Sequence, residues 1–194
     1  MKLLLATRNP HKAREFRELL VDQFEIADLS SYPELELPEE TGTTFEQNAI
    51  LKAATVSRVV DGLVIADDSG LEVDALNGAP GIYSGRYGGV KVSDAANIDK
   101  LLQELGSAPN RSARFRCVIA LARAGKALET LEGVVEGRIL NQARGKGGFG
   151  YDPVFQPTGF EETFAEMAPE LKSRISHRGK AVTALLEKLR EIRD

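Results

Sequence analysis

The sequence of 194 residues carries one cysteine, Cys117, and this excludes an intramolecular disulfide framework. Histidine is almost as scarce, with His11 and His177 alone, so a zinc site of soft ligands is not expected and any metal should be held by oxygen. Long apolar runs are missing too. Leu3-Leu4-Leu5-Ala6, broken off by Arg8, is too short for a secretory leader or for a span of roughly 20 residues, so a cytoplasmic protein without membrane contact is expected. Positive charge is not in excess: 25 Lys and Arg stand against 29 Asp and Glu, a net charge of −4. That balance argues against coating nucleic acid or anionic lipid, and favours a small substrate. No repeat, low-complexity tract or Ser/Gly linker divides the chain, so residues 1–194 read as a single domain. With 42% of residues apolar, that domain can bury a full core.

Local patterns then supply the elements. Lys2–Ala6 reads as a strand, followed by the loop Thr7-Arg8-Asn9-Pro10 and a helix in which Ala13, Phe16, Leu19 and Leu20 recur on one face. Asn9 suits the cap and Pro10 the first helical position. A second helix is expected from Thr43, with Glu46 at capping-box spacing, to about Val60. Leu63–Ala66 reads as a buried strand that delivers Asp67 and Asp68 at its C-terminal end. Gly78–Gly89 reads as a loop, and Ala95, Ile98, Leu101, Leu102 and Leu105 as a third helix. Ala113–Ala124 and Leu128–Val135, joined through Gly125, resemble an antiparallel hairpin, and a last helix is expected over roughly Gly179–Ile192. Helices at both ends and a hairpin between them point to an α/β fold with a mixed sheet.

Two glycine patterns carry no nucleotide motif. Gly145-Lys146-Gly147-Gly148-Phe149-Gly150 has the letters of a dinucleotide fingerprint, but Tyr151-Asp152-Pro153 follows where a helix should open. Lys126, Lys146 and Lys180 each follow a glycine without the spacing or trailing hydroxyl of a phosphate-binding Walker loop. Five other segments suit chemistry. Thr7–Lys12 places hydroxyl, amide and two cations where a helix begins, a setting that can grip phosphate. Asp67-Asp68-Ser69-Gly70 sets two adjacent carboxylates that repel unless a cation or proton relieves them, and on a strand only one of them faces a given site. Glu39-Glu40 could join Asp68 around an oxygen-coordinated Mg²⁺. Lys172 with Ser176-His177-Arg178 could reach a ligand's edge, and Phe149-Gly150-Tyr151-Asp152 suits stacking on a flat base.

Taken in order, these segments resemble the inosine/xanthosine triphosphate pyrophosphatase family. The motifs that carry the resemblance are Thr7-x-Asn9-x-x-Lys12, Glu39-Glu40-Thr41-Gly42 to Phe45, Asn48-Ala49-Ile50-Leu51-Lys52-Ala53, Ala66-Asp67-Asp68-Ser69-Gly70-Leu71, Gly78-Ala79-Pro80-Gly81-Ile82-Tyr83-Ser84, Gly147–Pro153 and Ser176-His177-Arg178. They span nearly the whole chain. The resemblance implies an elongated mixed sheet with flanking helices, two lobes around a central cleft, and assembly as a homodimer. It implies a substrate among the deaminated purine nucleoside triphosphates ITP, dITP and XTP, with no nucleic-acid or membrane partner.

Carried over by position, the resemblance assigns triphosphate binding to Thr7, Arg8, Asn9, Pro10, His11 and Lys12. It makes Asp68 the general base and a Mg²⁺ ligand, with Glu39 as the second carboxylate at the metal and Glu40 the alternative. Ser69 would touch substrate, and Lys52 would approach phosphate. Phe149, Gly150, Tyr151, Asp152, Lys172, His177 and Arg178 would form the base pocket, Phe149 stacking and the basic groups reading the 6-oxo edge. Arg8 stands where many relatives have a small residue. The implied reaction is water attack on the α-phosphorus, giving monophosphate and pyrophosphate. A related pyrophosphatase for modified pyrimidine or other aberrant nucleotides, and a nucleotide-binding sensor without turnover, are the competing readings.

Overall fold

A computed structural model describes residues 2–20 and 24–193. The chain opens as expected, with strand β1 (Lys2–Leu5) and helix α1 (Pro10–Leu20). Asn9 caps α1 through Oδ1, which accepts the backbone N–H groups of His11 at 2.9 Å and Lys12 at 3.2 Å. Strand β2 (Glu25–Asp28) follows, then helix α2 (Phe45–Val56). The cap of α2 is Thr44 and not Thr43: the Thr44 hydroxyl accepts the Gln47 N–H, while the Gln47 side chain accepts the N–H of Thr43. The helix also stops four residues before the expected Val60, with Ser57 as its C-cap.

Strand β3 (Leu63–Val73) departs most from the sequence pattern. It does not end at Ala66 but runs on through Asp67, Asp68, Ser69 and Gly70, so both acids lie inside the strand. Helix α3 (Asp94–Leu105) is capped by Ser93, and a 3₁₀ helix at Gly81–Arg86 lies within the stretch read as loop. Strands β4 (Ser112–Arg123) and β5 (Lys126–Ile139) form the expected hairpin. Its two linking residues both take positive φ, 50° at Ala124 and 80° at Gly125, the turn geometry that matches strand twist. Strand β6 (Phe155–Pro157), helix α4 (Pro169–Ile175) and helix α5 (His177–Arg193) complete the chain. Helix α5 begins two residues before the expected Gly179, which puts His177 and Arg178 in its first turn.

Among the described residues the strands are ordered β2-β1-β3-β4-β5-β6. β1 is parallel to both β2 and β3, whereas β5 and β6 are antiparallel, which makes the sheet mixed as expected. Two compact units divide the chain, and each has its own core. Unit one comprises Met1–Asp68, Cys117–Gly133 and Arg178–Asp194. Its core packs Leu3, Leu5 and Ile65 against Phe16 and Leu20 of α1, Ile119 of β4, and Leu185 and Leu189 of α5. Unit two comprises Ser69–Arg116 and Val134–His177. Leu71 and Val73 pack there with Leu101 of α3, Phe115 of β4, Phe155 and Phe164. Among the described residues no helix is long and apolar enough to cross a membrane.

Candidate active site

In unit one the loop after β1 and the first turn of α1 carry Thr7–Lys12. Thr7 is buried and its Oγ1 accepts the Asn9 N–H at 3.2 Å, which leaves the Thr7 hydroxyl proton to donate elsewhere. Pro10 and His11 occupy the exposed first turn. Arg8 turns to the backbone of the segment beyond β2, where NH2 donates to the carbonyls of Pro33, at 3.3 Å, and Leu35. Lys12 reaches Asp67, its Nζ lying 2.8 Å from Oδ2.

The extended strand explains how two adjacent acids find separate partners, since successive side chains point to opposite faces. Asp67 Oδ2 takes Lys12 and also Arg178 NH2 at 3.4 Å, and Arg178 NH1 pairs with Glu15, three residues beyond Lys12 on α1. Burial alone would push the Asp67 carboxyl up, but Lys12, Arg178 and Lys52 outweigh it and hold the group well below the usual carboxylate range. The Arg178 guanidinium is fully buried and is kept charged by Asp67 and Glu15, which more than offset its desolvation.

Asp68 faces α2. Its Oδ1 accepts from Lys52 Nζ and its Oδ2 from Asn48 Nδ2, each at 3.2 Å. Lys52 Nζ lies 2.8 Å from Glu40 Oε1 as well, so one buried ammonium joins two carboxylates. Burial raises the Asp68 pKa, Lys52 and Lys12 pull it down, and the charges of Glu40 and Asp67 push it up, with a net rise. Burial works against the charge on Lys52, yet Asp68, Asp67 and Glu40 overcome it and raise that pKa also. The two directions agree, because a single ammonium facing several carboxylates is held more tightly than any one of its partners. The residue converging with Asp68 is therefore Glu40, whereas Glu39 is exposed.

In unit two the segment 147–152 is built around Asp152. Asp152 Oδ2 accepts the Phe149 N–H at 2.9 Å and Lys172 Nζ at 2.6 Å, and Lys172 Nζ stands 5.1 Å from the centre of the Phe149 ring. Gly148 has φ +69°, and a Cβ there would stand 2.0 Å from Asp152 Oδ2, so the turn that brings this carboxylate home requires glycine. Gly150 N–H donates to Asp94 Oδ2 at 2.6 Å, a contact from α3 that no sequence motif marks. Tyr151 is buried, with its hydroxyl donating to the Ser84 carbonyl at 2.9 Å, and burial pushes its pKa up. His177 is buried and stacks on Phe115 with ring centroids 4.8 Å apart. Ser69, half-buried, follows Asp68 directly in β3. Of the expected base pocket, Phe149, Asp152 and Lys172 are brought together, while the side chain of Arg178 goes to Asp67 and Glu15.

These features coincide with close similarity to known proteins. Residues 3–188 match the Ham1 family. The chain is 49% identical over 196 residues to the dITP/XTP pyrophosphatase of Bacillus cereus, across 98% of this chain and 95% of that protein. It is 48% identical to the dITP/XTP pyrophosphatase of Desulfotalea psychrophila, across 94% of this chain and 82% of that protein. The solved structure of the Staphylococcus aureus Ham1 protein matches with a TM-score of 0.88 at 42% identity, over 98% of this chain and 99% of that one. Because the matched residues run from β1 into α5 and take in every element that carries the two clusters, the chain belongs to the Ham1 family.

Proposed function

We propose that this chain hydrolyses the deaminated purine nucleoside triphosphates dITP, XTP and ITP to the monophosphate and pyrophosphate, and so removes them from the nucleotide pool. The observation that carries the reading is the buried carboxylate of Asp68, held by Lys52 and Asn48 with Glu40 on the same lysine. The activity named for relatives of 48–49% identity supports it. In this reading Thr7, Asn9 and Lys12 bind phosphate oxygens. Asp68, with its pKa raised, takes the proton of the water that attacks the α-phosphorus. A new P–O bond forms as the bond to the bridging oxygen of the β-phosphate breaks, and pyrophosphate departs with the electron pair. Lys12 and Lys52 offset the charge that develops on it. Arg8, bonded to the carbonyls of Pro33 and Leu35, holds that segment beside the loop.

Among the described residues no group of three His, Cys, Asp or Glu side chains forms a metal cage. Asp68 and Glu40 do offer hard oxygen donors converging on one positive charge, a set that suits Mg²⁺, which usually completes its shell with water and substrate phosphate. We assign Glu40, and not Glu39, as the second carboxylate. Mg²⁺ bound there would polarise phosphate oxygens and acidify water.

Base recognition falls to unit two. Phe149 supplies the stacking surface, and Lys172, fixed by Asp152, supplies a donor suited to a 6-oxo acceptor. The 6-amino group of adenine cannot accept that bond, and a polar mismatch of this kind is worth a factor of ~10⁴ in the best cases. The reading also has the enzyme acting as a homodimer in the cytoplasm. The test is product analysis with dITP, XTP, ITP, GTP, ATP and a modified pyrimidine triphosphate, with and without Mg²⁺. Pyrophosphate from the first three alone is expected. Orthophosphate as product, preference for ATP or the pyrimidine, or no turnover overturns the reading.

A further inference from the structure

Asn48 contacts Asp68 but takes part in no step of the reaction just described. It is fully buried on α2, one turn before Lys52, and both ends of its amide are engaged. Oδ1 accepts the Gly42 N–H at 2.8 Å, and Nδ2 donates to Asp68 Oδ2 at 3.2 Å. These partners fix which way the amide points, because an N–H must face Oδ1 and a carboxylate must face Nδ2. Gly42 ends the acidic segment Glu39-Glu40-Thr41-Gly42, and a Cβ on it would stand 2.6 Å from Asn48 Oδ1. A residue larger than glycine would therefore displace the amide. The same side chain thus ties down the loop that brings Glu40 to Lys52 and one oxygen of Asp68, whose other oxygen takes Lys52.

We propose that Asn48 is a positioning residue that holds the Asp68 carboxylate in its working rotamer and couples it to the Glu40 loop through Gly42. This rests on the reading of Asp68 as the base. Both ends of the Asn48 amide are taken up by Gly42 and Asp68, so its loss should act on the chemical step and not on binding. Misplacing a reacting group by about 1 Å can cost on the order of 10²-fold in rate. Asn48→Asp keeps the acceptor for Gly42 but loses the donor to Asp68. Gly42→Ala keeps the Asn48 side chain but crowds its Oδ1 and the Gln47 Cβ and so displaces the amide, without adding a buried charge.

The experiment measures kcat and KM for dITP in wild type, both single variants and the double variant. The Kd of a non-hydrolysable dITP analogue is measured by calorimetry alongside, and folding is checked by thermal melting. The expected result is a fall in kcat of roughly 10²-fold in each single variant, with KM and Kd within threefold of wild type. The double variant should be no slower than the worse single, because both changes break one coupled unit. A kcat within threefold of wild type in folded Asn48→Asp overturns the proposal, as do fully multiplicative losses in the double variant or losses confined to KM. If Asn48→Asp does not fold, Gly42→Ala alone decides by the same split between kcat and KM. Absence of pyrophosphate release from the wild type would instead overturn the underlying reading of the reaction, so the two failures are distinguishable.

Discussion

Replacing Asp67 by Asn keeps the shape of the side chain and removes the charge that Lys12 and Arg178 share. The carboxylate is 2% exposed, with Lys12 at 2.8 Å and Arg178 at 3.4 Å. In the variant the buried Arg178 retains Glu15, but the network carries two cations against one anion. Removing one partner of a buried ion pair costs ~3–5 kcal/mol. With a urea dependence of about 2 kcal/mol per molar, the unfolding midpoint should fall by ~1.5–2.5 M at neutral pH. The effect has a defined pH dependence. The folded-state pKa of Asp67 lies below its unfolded value of about 3.9, so its contribution is complete above about pH 4 and is lost as pH falls toward the folded value. Urea titrations of wild type and variant at intervals from neutral pH down to about pH 3 should show a constant gap that narrows only at the acid end. A gap below about 1 kcal/mol at neutral pH, or one that widens on acidification, would refute the account of this network.

Further outcomes follow from the remaining geometry. Phe149→Ala removes the surface assigned to base stacking, a contact worth ~1–3 kcal/mol, so KM for dITP should rise by about 5- to 150-fold, and an unchanged KM would contradict the assignment. Cys117 is buried, and burial followed by the charge of Asp67 pushes its thiol up to about 12, so it should resist iodoacetamide at mildly alkaline pH until urea unfolds the chain. Labelling of the native protein at the rate of a free thiol would contradict that placement.

What the sequence disclosed and what it concealed divide along physical lines. Helix α1 was legible because Asn9 and Pro10 satisfy local rules that depend on no distant contact. The hairpin was legible for the same reason, through the turn at Gly125. The sequence pattern ends strand β3 early because two carboxylates inside a strand look like its end. They are tolerated there only because Lys12, Lys52 and Arg178, the last 111 residues away, supply compensating charge. β2, β6 and α4 have four, three and seven residues, too short for a periodic pattern to establish. At the site, two adjacent letters cannot tell Glu39 from Glu40, and it is Glu40 that meets Lys52. Asp152, placed in the base pocket by the resemblance, bonds the Phe149 N–H and Lys172, partners that no spacing in the sequence discloses. Asp94 left no local signal, because its partner Gly150 lies 56 residues further on.

In the proposed reaction Asp68 activates water for attack at the α-phosphorus. That role is tested most directly by hydrolysing dITP in ¹⁸O-enriched water with wild type and Asp68→Asn. Wild type should place the label in the monophosphate and release unlabelled pyrophosphate. The variant should remain folded but turn over at least ~10²-fold more slowly, the low end of what general base catalysis contributes. Label in the pyrophosphate, or an Asp68→Asn enzyme that is nearly as fast as wild type, would contradict it.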